Sequence, residues 1–200
     1  MYTYLALGDS YTIGEQVPLE DNFPYQTVRM LRERNIEVAD PVIIARTGWT
    51  TDELTKAVLE EGVKEQFSFV TLLIGVNNQY RGRDIMNYRT ELLALIQQAL
   101  HFANGKPDHV FVLSIPDWGV TPFASDRDRN QVAKEIDAFN KAKKEIAEEH
   151  GVVFIDITES TRANGTKPEY LTDDALHPSS KEYTIWAERL VPYVAHALKG

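Results

Sequence analysis

Five short apolar runs punctuate the chain, at residues 2–7, 42–45, 69–74, 110–115 and 152–155. Odd and even positions in them are both mostly apolar, as in strands covered on two faces. Between them, apolar residues recur at three- and four-residue steps. These stretches predict helices over 24–34, 52–61, 84–102 and 128–150, with a last one over 180–198. In the fourth, Val132, Ile136, Phe139, Lys143, Ile146 and Ala147 share one face, a mostly apolar stripe suited to packing on a sheet. Thr50-Thr51-Asp52-Glu53 and Ser179-Ser180-Lys181-Glu182 have the spacing of capping boxes. Strands alternating with helices imply parallel pairs joined by right-handed crossovers. The expected fold is therefore α/β: a three-layer α/β/α sandwich with a five-stranded parallel sheet in flavodoxin-like order, one domain over residues 1–200.

Ligands of open parallel sheets bind beyond the carboxyl ends of the strands. The segments after the five runs are 8–14, 46–51, 75–83, 116–126 and 156–179, and four of them hold chemistry. The first reads Gly8-Asp9-Ser10-Tyr11, with a hydroxyl directly after a strand. The last reads Asp174-Ala175-Leu176-His177-Pro178. On one helical or 3₁₀ turn, residues three apart share a face, so Asp174 is placed to accept from one imidazole nitrogen of His177. The other nitrogen is then free to take a hydroxyl proton. The third, Gly75-Val76-Asn77-Asn78, offers the Asn77 amide as a donor to an oxyanion. The second, Arg46-Thr47-Gly48-Trp49-Thr50, places the Gly48 N–H just before a capped helix.

Each motif alone is also an ordinary turn or cap. Together they supply a nucleophile, a base with its orienting acid, and two kinds of oxyanion donor on one end of the sheet, the parts acyl transfer needs. Tyr11, Trp49, Tyr80, Trp118 and Phe123 lie on the same loops and are expected to wall a pocket. Arg81 and Arg83 are expected to be solvated, as are His101, His109, His150 and His196.

Composition narrows the classes. Apolar residues make up 43% and charged ones 26%, which fits a folded globular chain. The net charge of -9 disfavours nucleic acid and anionic membrane surfaces. With no cysteine, thiolate nucleophiles, disulfides and Cys-ligated zinc are excluded. Asp126-x-Asp128-x-Asn130 begins like a calcium loop, but Gln131 takes the glycine position, so a helix start is expected there. No phosphate-cradling glycine loop is present. No cofactor, no metal and no membrane insertion are expected. The chain starts without a basic leader ahead of an apolar stretch, which points to the cytoplasm, or to a secreted or periplasmic protein whose signal peptide was removed.

The blocks Gly8-Asp9-Ser10-Tyr11, Gly48, Gly75-Val76-Asn77-Asn78 and Asp174-x-x-His177 resemble those of the SGNH (GDSL-type) hydrolase superfamily. The resemblance spans the chain. It implies Ser10 as nucleophile, His177 as base, Asp174 as triad acid, and an oxyanion hole of the Ser10 and Gly48 N–H groups and the Asn77 side chain. Tyr11 stands where Leu is frequent, and Asn78 where Asp is, removing one carboxylate near the site. The implied function is a serine ester hydrolase (carboxylesterase or acylhydrolase) working through an acyl-enzyme on a small-molecule ester, and the short loops, with no large lid, favour small or short-chain acyl groups. An acyltransferase or thioesterase with the same chemistry, or a non-catalytic acyl- or sugar-binding module, remain the alternatives.

Overall fold

All five apolar runs form strands. In a computed structural model describing Met1–Gly200 they are β1 (Tyr4–Asp9), β2 (Val42–Arg46), β3 (Phe69–Leu73), β4 (Val110–Leu113) and β5 (Val153–Ile155). They pair in parallel in the order β2-β1-β3-β4-β5. Every residue of β1 and β3 is buried, as their mostly apolar pattern predicts, the polar Asp9 and Thr71 included. The chain passes from β1 to β2 on one side and then crosses back to β3 on the other. That reversal puts the C-terminal end of β1 at the switch point.

The five predicted helices are α2 (Phe23–Glu33), α3 (Thr51–Glu61), α5 (Ile85–Phe102), α6 (Arg129–Glu149) and α8 (Ser180–Lys199). Helix α2 packs on α8, while α5 packs between α3 and α6. Side-chain caps set three starts: Asn22 for α2, Asp84 for α5 and Asp128 for α6. The calcium-like segment is thus a capped helix start. Of the two expected capping boxes, only the first reciprocates, with the Thr50 N–H donating to Glu53 Oε2 at 2.9 Å. In the second, Glu182 is buried and accepts instead from Asn164 Nδ2 (2.9 Å) and Trp186 Nε1 (3.0 Å). Satisfying two buried donors outweighs capping an exposed helix end. No helix is long and apolar enough to cross a membrane.

Three short helices lie inside the predicted loops: α1 (Ser10–Ile13), α4 (Val76–Tyr80) and α7 (Thr158–Asn164). Strand β1 also runs two residues further than its apolar run, through Gly8 and Asp9. Gly8 sits in the ladder between Ala45 and Leu73, and a Cβ there would lie 2.0 Å from Thr12 Oγ1 and 2.5 Å from the Leu73 carbonyl oxygen. Only glycine lets α1 fold back this tightly on the strand. Gly8→Ala is therefore expected to cost roughly 1–3 kcal/mol of overpacking. At about 2–4 °C per kcal/mol for this size, calorimetry should show a clear drop in Tm. An unchanged midpoint would mean that the strand spacing yields freely.

Candidate active site

The carboxyl ends of β1, β2 and β3 and the segment before α8 converge on one cleft. Ser10 is the first residue of α1, and the Asp9 carboxylate caps it by accepting from the Tyr11 N–H at 3.0 Å. The cap fixes the turn that swings Ser10 off the strand end. His177 arrives from 167 positions away and places Nε2 2.9 Å from Ser10 Oγ. Its Nδ1 lies 2.6 Å from Asp174 Oδ2. Ionised Asp174 only accepts, so Nδ1 carries the proton and Nε2 is left to accept from the serine hydroxyl.

The Asp174–His177 link is made by a turn, not by the helical or 3₁₀ turn the spacing suggests. Ala175 takes a left-handed φ of 57°. Asp174 Oδ1 accepts from the N–H groups of Leu176 and His177, both at 2.9 Å, and from Thr172 Oγ1 at 2.8 Å. The Thr172 N–H in turn donates to the His177 carbonyl at 2.9 Å. Burial pushes the Asp174 carboxyl up, but the His177 imidazole, these two backbone donors and Thr172 together hold it down at about 2. The acid is therefore charged throughout the working range. The Tyr11 ring leans on the imidazole, centroids 5.1 Å apart, and is itself backed by Trp186.

Asn77 and Gly48 face the same cleft. Gly48 has φ 83°, and its N–H has no partner within the chain. Asn77 Nδ2 donates to the Trp49 carbonyl at 2.9 Å and more weakly to Asp9 Oδ2 at 3.5 Å. Asn78, in place of the frequent Asp, still ties this loop to the second one. It accepts from the Thr51 N–H at 3.1 Å and donates to Thr51 Oγ1 at 2.7 Å, so a neutral amide does the joining.

The cleft encloses about 190 Å³. Tyr11, Tyr80, Trp118 and Phe123 line it as the sequence suggests, joined by Thr47, Val76 and Leu176. Trp118 stacks edge-on with Tyr80 and Phe123, and its indole N–H is held by Gln79 at 2.7 Å. Trp49 is not part of the lining: after the left-handed turn at Gly48 its ring packs against the core. Arg81 is exposed and Arg83 half-buried, in keeping with the expectation of solvation, yet both are tied at the protein end: Arg81 donates to the Gly48 carbonyl at 2.6 Å, and Arg83 pairs with Asp52 in the first turn of α3. Two of the other histidines are half-buried, each with one ring nitrogen bonded. His109 Nδ1 meets the Ser68 carbonyl at 2.6 Å, and His150 Nδ1 meets that of Ile146 at 2.9 Å. Thr172, Gln79 and Arg81 carry no sequence signal for these roles, since each acts through a contact far along the chain or inside an irregular turn.

Comparison with known proteins places the chain in a family. Residues 6–185 match the GDSL-like lipase/acylhydrolase family. The spore germination lipase LipC of Bacillus licheniformis is 24% identical, over 94% of this chain and 93% of its own. Among solved structures, TesA superposes with a TM-score of 0.77 at 17% identity, covering 98% of this chain and 99% of that one. The acetylxylan esterase Axe2 of Geobacillus stearothermophilus gives 0.75 at 18%, covering 96% and 94%. With the match running almost end to end, the chain belongs to the GDSL-like lipase/acylhydrolase family and is a serine ester hydrolase.

Proposed function

We propose that Ser10, His177 and Asp174 form the catalytic triad of this esterase, and that its substrates are small-molecule esters of short acyl chains. The observation that carries the reading is the continuous hydrogen-bond chain from Ser10 Oγ through both imidazole nitrogens to Asp174. Ser10 Oγ attacks the ester carbonyl as its proton passes to His177 Nε2. The tetrahedral oxyanion is received by the Ser10 and Gly48 N–H groups and Asn77 Nδ2. His177 returns the proton to the departing alcohol, leaving an acyl-Ser10. Water, deprotonated by the same imidazole, then releases the acid and restores the serine. Asp174, charged throughout, holds the imidazole tautomer and stabilises the imidazolium.

The size of the cleft supports the short acyl group. At about 190 Å³ it is smaller than the roughly 300–1,000 Å³ of sites for drug-sized ligands. Half-exposed Tyr80 and Phe123 at its mouth leave room for a bulkier alcohol outside. Relatives named a lipase and an acetylxylan esterase bracket the choice, and the small volume favours the acetyl end.

The experiment is labelling with a p-nitrophenyl alkylphosphonate, followed by peptide mass spectrometry, beside p-nitrophenyl esters of rising chain length. One label on Ser10 is expected, none on Ser10→Ala, and kcat/KM highest for acetate to butyrate. A label elsewhere removes Ser10 as nucleophile, and a preference for dodecanoate removes the short-acyl assignment.

A further inference from the structure

Lys143 is the least expected residue in the core. It lies on the apolar stripe of α6 and is wholly buried, which lysine almost never is without partners. Its Nζ donates to the carbonyls of Ile74 and Leu113, both at 2.8 Å. Leu113 ends β4, and Ile74 is the first residue beyond β3. The ammonium thus spans the carboxyl ends of two neighbouring strands, at the end of the sheet where the cleft opens.

The turn just beyond Ile74 gives the position its meaning. Gly75, at φ 125°, leads the chain into α4, which carries Asn77. Tyr88 Oη donates to the same Ile74 carbonyl at 3.4 Å, and a Cβ on Gly75 would sit 2.7 Å from that hydroxyl oxygen. The turn that aims Asn77 is therefore clamped at its base by Lys143 and packed by Tyr88. On the other side is Asp9, buried one residue before Ser10, with one oxygen on the Tyr11 N–H and the other facing Asn77 Nδ2. Burial raises the Asp9 carboxyl and lowers the Lys143 ammonium, and each charge opposes the shift of the other.

We infer that Lys143 is a positioning residue of the oxyanion hole: it fixes the turn that presents Asn77. The inference rests on the proposed role of Asn77. It needs no contact between Lys143 and substrate, and it assigns the α6 lysine to turnover rather than only to strand cohesion.

A double-mutant cycle on p-nitrophenyl acetate tests it. Lys143→Gln is expected to lower kcat by about tenfold, part of the roughly 10²–10³-fold carried by one oxyanion donor, with KM little changed. In an Asn77→Ala background the same substitution should add almost nothing, because the donor it positions is gone. Losses that multiply, or a folded Lys143→Gln with parental kcat, overturn the assignment. Parental kcat in Asn77→Ala alone instead sinks the oxyanion-hole reading beneath it. If Lys143→Gln does not fold, Asp9→Asn/Lys143→Met removes both buried charges and is carried through the same cycle. A chain that folds in neither form shows Lys143 to be a requirement of the fold, which also overturns the assignment.

Discussion

Ser10→Ala is expected to lose kcat for p-nitrophenyl acetate on the order of 10⁶-fold, the scale seen when a serine triad loses its nucleophile. Nothing nearby replaces it. The chain has no cysteine, and Tyr11, the next hydroxyl along, is raised far above its ordinary range by burial and by the charges of Asp9, Asp174 and Asp117, so it stays neutral and a poor nucleophile. The fold should not notice. Ser10 Oγ makes its hydrogen bond to His177, and removing it leaves one imidazole nitrogen facing the cleft. Tm within a few degrees of the parent is the control. His177→Ala should be as damaging, and the double variant no worse than either, because the two act as one unit. A Ser10→Ala protein that turns over at a substantial fraction of the parental rate would move the nucleophile elsewhere.

How much of this was legible in the sequence depends on the range of each signal. The sheet was readable because strands buried on both faces must be mostly apolar at both parities, and Leu5 to Leu7 or Phe69 to Leu73, with Thr71 its one polar residue, satisfy that. The gathering of Ser10, Asp174, His177, Gly48 and Asn77 at one cleft was readable because loops after parallel strands have one end of the sheet on which to meet, while the roles proposed for them rest on the resemblance of their blocks to a known family. The short helices α1, α4 and α7 were not. At four to seven residues they are too short to form alone and exist because the core holds them. Glu182 has the capping-box spacing of Glu53, yet it is drawn inward by Asn164 and Trp186, partners no local pattern announces. Trp49 sits on a site loop and points to the core, because the direction of a side chain after a left-handed glycine is set by the turn. Lys143 could be placed on the buried stripe of its helix, but the two carbonyls that make it tolerable there lie 69 and 30 positions away.

Asp174→Asn is expected to cost kcat on the order of 10⁴-fold while leaving the site in place. The Asn amide can present an NH₂ to His177 Nδ1, which favours the tautomer with its proton on Nε2. That proton then points at Ser10 Oγ, where an acceptor is needed. The substitution also has a signature in stability. The folded Asp174 carboxyl sits at about 2, below its ordinary value of 3.8, so the folded state resists its protonation. The stabilisation is fully present above the unfolded value and is lost as pH falls from there through the folded one. Urea midpoints of parent and variant should therefore differ at neutral pH and converge between about pH 4 and pH 2. A constant gap across that window would mean the carboxylate is not held down by its four donors. A variant that kept parental kcat would mean that the imidazole takes its orientation from something other than Asp174, and the triad would reduce to Ser10 and His177.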